Sequence, residues 1–177
     1  GELSERELRA MVPELQSLTE RYKRAEKIQK ALYRISELSS SSGNLDSLYP
    51  SIHNIVQDFM TADNFFVAFY EKQDERIQFA YFVDERDQEE MRSISYDKIK
   101  NGLTALILRT GQPLVMTQEN HLELAEQHNF EMLGTPPVDF IGVPLTRDGQ
   151  TIGAMVVQSY NENVRYSDDD LEILIFI

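Results

Sequence analysis

The sequence predicts an α+β domain built on an antiparallel sheet that is covered on both faces. Three observations predict it. Asp148-Gly149 stands between two apolar runs, roughly Asp139 to Thr146 and Gln150 to Tyr160. Asp-Gly in that setting signals a tight hairpin, because both residues tolerate the positive φ of a type I′ turn. The second run, Ile152-Gly153-Ala154-Met155-Val156-Val157, is apolar at almost every position. A strand with one wet face alternates, so this one lies centrally and is clothed on both sides. Both ends of the chain carry helical rather than alternating periodicity.

Composition narrows the function. The chain has 177 residues and a net charge of −13, which argues against non-specific nucleic-acid binding and against contact with an anionic membrane. Cysteine is absent. That removes disulfides, cysteine-ligated zinc, thiol nucleophiles and thioether-linked chromophores, and it fits a cytoplasmic setting. No apolar run approaches the ~18–20 residues of a membrane span, and no signal peptide is present. The start at Gly1-Glu2 and the end inside the helical run Ile173 to Ile177 lead us to expect a piece of a larger protein.

Taken in order, Ser4-Glu5-Arg6-Glu7 is a capping-box pattern that opens a helix. Leu8, Met11, Leu15, Leu18, Tyr22 and Ala25 follow in the three-four rhythm of a coiled-coil seam. Pro13 interrupts it, so the helix either kinks or starts there. Beyond Ala25 the apolar positions become Ile28, Leu32, Ile35 and Leu38, a stammer that moves the stripe around the helix. The first part then faces a partner chain and the second part the domain; the alternative is one amphipathic helix lying on its own domain. Residues 1–24 are therefore expected to form an N-terminal signalling helix and residues 25–177 the domain. The polar break from Ser39 to Asn44 ends this helix. A second one, with Leu45, Leu48, Ile52, Ile55, Val56 and Phe59 on its stripe, runs to about Met60. His53 lies between turns of that stripe and is expected at the surface or at a cap rather than as a ligand.

Asn64 to Tyr70 and Ile77 to Val83 read as a second hairpin, followed by a charged loop over residues 84–92. Leu103, Leu106 and Ile107 mark a short helix closed by Gly111 in the left-handed conformation and stopped by Pro113. Leu114-Val115-Met116 is a short strand, and His121 to Phe130 a short polar helix or an ordered loop. Gly142 and Gly153 mark bulges or close backbone approaches, and Pro144 leaves the first arm of the last hairpin either bulged or partly at an edge. Ser167, with Asp170 three residues on, caps the final helix.

This order, with Gly102-Leu103-Thr104, Leu108-Arg109-Thr110-Gly111-Gln112-Pro113-Leu114, Phe140-Ile141-Gly142-Val143-Pro144-Leu145, Gly149-Gln150-Thr151-Ile152-Gly153, Gln158-Ser159-Tyr160 and Tyr166 to Leu171, resembles a GAF domain of bacterial sensory proteins. The resemblance covers roughly residues 25–177. It implies a GAF-like (profilin- or PAS-like) antiparallel sheet of about six strands. Terminal helices lie on one face, and short helices and loops cover a small-molecule pocket on the other.

No catalytic constellation stands out: there is no phosphate-binding glycine loop and no GxSxG. His121 and His128, with Glu123, Glu126 and Glu131, are read as an acidic exposed segment rather than a metal or haem site. Relatives of this kind can bind cyclic nucleotides, bilins or haem, and some reduce methionine sulfoxide. Covalent bilin attachment and that reductase chemistry both need cysteine. The Asn-Lys-Phe-Asp-Glu signature of cyclic-nucleotide binders is not evident. The pocket candidates are Phe66, Ala68, Tyr70, Phe79 and Tyr81, with Ile99, Leu103, Leu106, Met116 and Phe140. On the first strand, Phe66, Ala68 and Tyr70 share one face and Phe65, Val67 and Phe69 the other; period two does not say which set meets the pocket.

The resemblance thus leads to an expected role. The chain is a non-enzymatic sensing and dimerisation module that binds an unidentified small molecule. It pairs through its terminal helices and passes a helix shift to an output domain of the histidine kinase, diguanylate cyclase or transcription-activator type. The alternative is a ligand-free dimerisation module with a collapsed pocket.

Overall fold

The computed structural model describes residues 3–41, 45–85, 93–128 and 137–177. Six strands and six helices are present among them: α1 (Glu5–Ser41), α2 (Leu45–Gln57), β1 (Asn64–Glu71), β2 (Arg76–Val83), β3 (Ser93–Ser95), α3 (Tyr96–Ile99), α4 (Leu103–Thr110), β4 (Leu114–Met116), α5 (His121–His128), β5 (Asp139–Arg147), β6 (Gln150–Ser159) and α6 (Asp168–Phe176). The strands form one sheet in the order β3-β2-β1-β6-β5-β4, and every neighbouring pair is antiparallel. The expected α+β architecture is observed.

The turn of the β5–β6 hairpin is the one its residues specify. Asp148 and Gly149 take φ of 53° and 77°, and Arg147 pairs with Gln150. Gly153 is required by close approach, since a Cβ there would stand 2.3 Å from the Ala68 carbonyl oxygen of β1. Gly142 makes room for α4, because a Cβ would meet Ile107 Cδ1 at 2.4 Å. Pro144 pairs with Ala154 on β6, while β4 extends along β5 only to Gly142, so the proline lies past the end of its other neighbour.

Central strands β1 and β6 feed two separate cores. On one face, Phe65, Val67, Met155 and Val157 pack against Val56 of α2 and Ile173 and Leu174 of α6. On the other, Phe66, Ala68, Ala154 and Val156 pack against Leu103, Leu106 and Ile107 of α4. This division explains the apolar run in β6: Gly153 to Val157 are all buried.

Helix α1 begins at Glu5, ahead of Pro13, and runs through the proline. Ser4 and Glu7 form the capping box, with Glu7 N–H donating to Ser4 Oγ and Ser4 N–H to the Glu7 carboxylate. The helix ends at Ser41, later than the first serines of the polar break, and residues 42–44 lie outside the described set. The charged segment 86–92 and residues 129–136 lie outside it as well. Helix α2 ends at Gln57, and a turn carries the chain on to Met60. The capping box at Ser167 and Asp170 is formed, and Arg24 of α1 reaches Asp169 of α6 at 3.2 Å, so the two terminal helices are neighbours.

One expectation is corrected, and two features go beyond the expectations. His53 is 6% exposed, not a surface residue. Strand β3 and helix α3 were not foreseen. Strand β2 does not alternate throughout: Val67 pairs with Tyr81 and Ala68 with Phe79, leaving Ala80 as a bulge. Beyond that bulge every side chain changes face.

Candidate functional site

The sheet face under α4 is the candidate site. Nine of the ten expected lining residues meet there: Phe66, Ala68, Leu103, Leu106, Met116 and Phe140 are buried, and Tyr70, Phe79 and Ile99 pack beside them. Tyr81 does not join them. The Ala80 bulge turns it through the sheet to the face of α2, where it packs beside Phe65.

Glycines place the helical side of this site. Gly111 ends α4 in the left-handed region (φ 63°, ψ 22°) and donates its N–H to the Ile107 carbonyl. With Gly142 below, α4 sits directly on the sheet, and Leu103, Leu106 and Ile107 are aimed at it. The α4 end is tied back by Arg109, which donates to the Lys100 carbonyl. On the far side, Asn120 braces the entry to α5: its Nδ2 donates to Val115 O at 2.9 Å and its Oδ1 accepts from Thr117 N–H at 2.6 Å.

The lining is rich in rings. Phe66, Phe79 and Phe82 form a triangle with centroids 5.5, 5.5 and 5.9 Å apart, two contacts edge-on and one stacked. Tyr70 and Tyr96 meet at 5.4 Å. Phe82, Ile94 and Tyr96 were not among the expected lining residues. Phe82 reaches this face only through the bulge, and Tyr96 opens a helix of four residues.

Directed polar contacts gather on the opposite face. His53 Nε2 lies 2.5 Å from Ala62 O, which can only accept, so this nitrogen carries the proton. In the neutral ring Nδ1 then accepts from the Tyr81 hydroxyl at 2.8 Å. The imidazole also stacks on Phe65 at 4.7 Å. Burial pushes the Tyr81 phenol above its ordinary pKa. Tyr166 donates to Thr61 O at 2.7 Å; burial, with Asp63 and Asp139 nearby, raises its phenol far more. Buried Asp139 accepts at Oδ2 from Tyr166 N–H and from Arg165, while its Oδ1 has no partner among the described residues.

Two smaller features lie elsewhere. A groove of about 390 Å³ between α1 and α6 is lined by Lys23, Arg24, Lys27, Phe59, Asp169 and Ile173, among others. Lys27 lies 4.6 Å over the Phe59 ring and donates to Asp58 O, so its charge is already engaged. A polar cavity of about 60 Å³ adjoins Asn64, Gln158 and Tyr166. Among the described residues no group of three or more His, Asp or Glu is gathered for a metal ion, and His121 Nδ1 is 2.9 Å from Gln118 O. No described helix is long and apolar enough to cross a membrane. The seam residues Leu8, Met11, Leu15, Leu18, Tyr22 and Ala25 are all exposed and stand apart from the aromatic face.

The same architecture recurs in solved structures. The GAF domain of an Acinetobacter phosphoenolpyruvate-protein phosphotransferase superposes with a TM-score of 0.64 at 17% identity, over 86% of each chain. The GAF domain of A. aeolicus nlh2 in an inactive state gives 0.58 at 13%, over 86% of this chain and 93% of that one. The phycoerythrobilin-bound GAF domain of a cyanobacterial phytochrome gives 0.60 at 13%, over 84% and 88%. No curated protein sequence matches significantly. The family model for the GAF domain matches residues 42–177, from α2 through α6 and across both cores, and the chain belongs to that family.

Proposed function

We propose that this domain is a regulatory sensor: a small molecule binds on the aromatic face under α4, and its binding rearranges the terminal helices for an output domain of the kinase or cyclase type. Residues 1–24 would serve as the signalling helix and pair with a second copy. The observation that carries this reading is the Ala80 bulge. It sends Phe79 and Phe82 to the ring-lined face and Tyr81, between them in sequence, to His53 on α2. A ligand that spreads the rings would move both ends of this short segment, and with it the helix layer. Coupling of this kind requires a ligand that prefers one helix arrangement over the other.

The lining is hydrocarbon and ring, with Tyr70 and Tyr96 as the phenols within it. That chemistry favours a flat or apolar ligand carrying few charges. A bilin attached through cysteine is excluded by the residue count. The second reading, a dimerisation module with a collapsed pocket, is favoured by the mutual packing of Phe66, Phe79 and Phe82.

Native mass spectrometry after exposure to a metabolite extract separates the two. The sensor reading expects a small molecule to stay bound to the native chain and to be lost from Phe79→Ala. If nothing is retained and no fraction of the extract raises the melting temperature, the sensor reading falls and the collapsed module stands.

A further inference from the structure

We infer that Arg165 to Asp169, where the chain enters α6, is a second transmission joint, tying α5 at the edge of the aromatic face to α1. This rests on the sensor reading above and adds a route that does not pass through the Ala80 bulge. One end of the joint is on the ligand side. Leu124 and Ala125 of α5 pack against the aromatic cluster. The helix is entered through a turn whose two ends bond each other: Thr117 N–H donates to Asn120 Oδ1 at 2.6 Å, and Asn120 N–H to Thr117 Oγ1 at 3.3 Å. Glu119 belongs to that turn, and its carboxylate pairs with the Arg165 guanidinium. A shift of α5 therefore carries this carboxylate with it.

The other end is on the helix layer. Arg24 holds Asp169 twice, by the carboxylate at 3.2 Å and by the carbonyl at 3.1 Å. Every residue from Leu3 to Lys23 is exposed, and Arg24 is the first of α1 that is not. One turn on, Lys27 donates to Asp58 O at 2.6 Å, just past the end of α2. A displaced Asp169 thus acts on α1 where its exposed arm begins.

Between the two ends stands a buried carboxylate. Asp139 is 0% exposed, and its Oδ2 accepts from Arg165 Nε at 3.2 Å and from Tyr166 N–H at 3.0 Å. A charge in that position needs a cation, and among the described residues Arg165 is the one paired with it. Arg165 is shared by two carboxylates, one fixed in the core and one carried by the entry to α5. The planar guanidinium reaches them with different nitrogens, which the single nitrogen of a lysine does not match. Drawing Glu119 away leaves Arg165 to Asp139 alone, beside the N–H that sets where α6 begins. Tyr166, pinned to Thr61 O at 2.7 Å, is the pivot, and the Ser167–Asp170 capping box carries the movement on to Asp169.

Hydrogen exchange of the ligand-free protein tests this joint, so its outcome is separate from whether any small molecule is retained. Glu119→Gln cuts the link at an exposed position and leaves Asp139 paired. Amides from Tyr166 to Leu171, and of α1 from Arg24 to Ala31, should then exchange roughly two- to fivefold faster, a modest change because the pairs are exposed. Arg165→Lys should reproduce that pattern, and combining the two should add nothing further. In an Arg24→Gln background, Glu119→Gln should still speed Tyr166 to Leu171 but should no longer alter α1. Unchanged exchange in α1 after Glu119→Gln overturns the joint, as does a change in α1 that persists in the Arg24→Gln background. In either case the sensor reading keeps the Ala80 bulge as its route.

Discussion

Each face of the sheet buries its own hydrocarbon cluster, but the two hold it differently. Under α2 and α6, buried polar groups fix the packing at named points: His53 between Tyr81 and Ala62, Tyr166 on Thr61, and Asp139 on Tyr166 and Arg165. On the α4 side, Phe66 of β1 and Phe79 and Phe82 of β2 form a triangle of rings held by contact alone. Hydrogen bonds are directional and costly to break in a core, whereas ring contacts tolerate several geometries. The difference teaches that directed bonds hold one face while the other rests on contact between rings, which is the arrangement the sensor reading requires.

The largest test compares neighbouring rings. Phe65→Ala, on the fixed face, should cost about 3–5 kcal/mol in urea unfolding. Phe66→Ala should cost less, because Phe79 and Phe82 can close on the space. Equal losses would break the contrast between the faces.

Next comes the histidine. His53→Ala strands the Ala62 carbonyl and the Tyr81 hydroxyl, and should cost about 1–3 kcal/mol. Tyr81→Phe should cost about 1 kcal/mol, and the two losses should not add in a double-mutant cycle. Additivity would mean that the His53–Tyr81 contact carries no coupling.

Alkali probes the same face. An unfolded tyrosine loses its proton near pH 10, whereas buried Tyr166 keeps its proton to higher pH. Above about pH 10 the unfolded state therefore binds fewer protons, and stability falls as pH rises. Tyr166→Phe should be less stable by about 1 kcal/mol at neutral pH and should lose less on going to pH 11. An unchanged alkaline slope would contradict the assignment.

The smallest effect tests a terminus rather than a face. Ser167→Ala should remove about 0.5–1 kcal/mol by uncapping α6. Because α6 covers only the fixed face, ligand retention should not change.

What the residues revealed in advance was mostly local. Asp148-Gly149, Gly111 and the Ser167–Asp170 box each encode one backbone geometry, and each was readable without its surroundings. Period two grouped Phe66, Ala68 and Tyr70 correctly but could not see the Ala80 bulge, which is set by pairing with β1 and not by β2 itself. Tyr81 was therefore grouped with Phe79, and Phe82 was missed. Ser93-Ile94-Ser95 is too short for alternation to register. His53 was legible: with Tyr49, Ile52 and Val56 it completes an i, i+3, i+4, i+7 face, and three of those four side chains are apolar.

Hydrogen exchange of the backbone amides, measured with and without the molecule retained from the extract, tests the central claim most directly. The account predicts slowed exchange in α4 and around Phe66 and Phe79, together with altered exchange in α2 and the first turns of α1. Protection confined to the groove between α1 and α6, with α4 untouched, would contradict it.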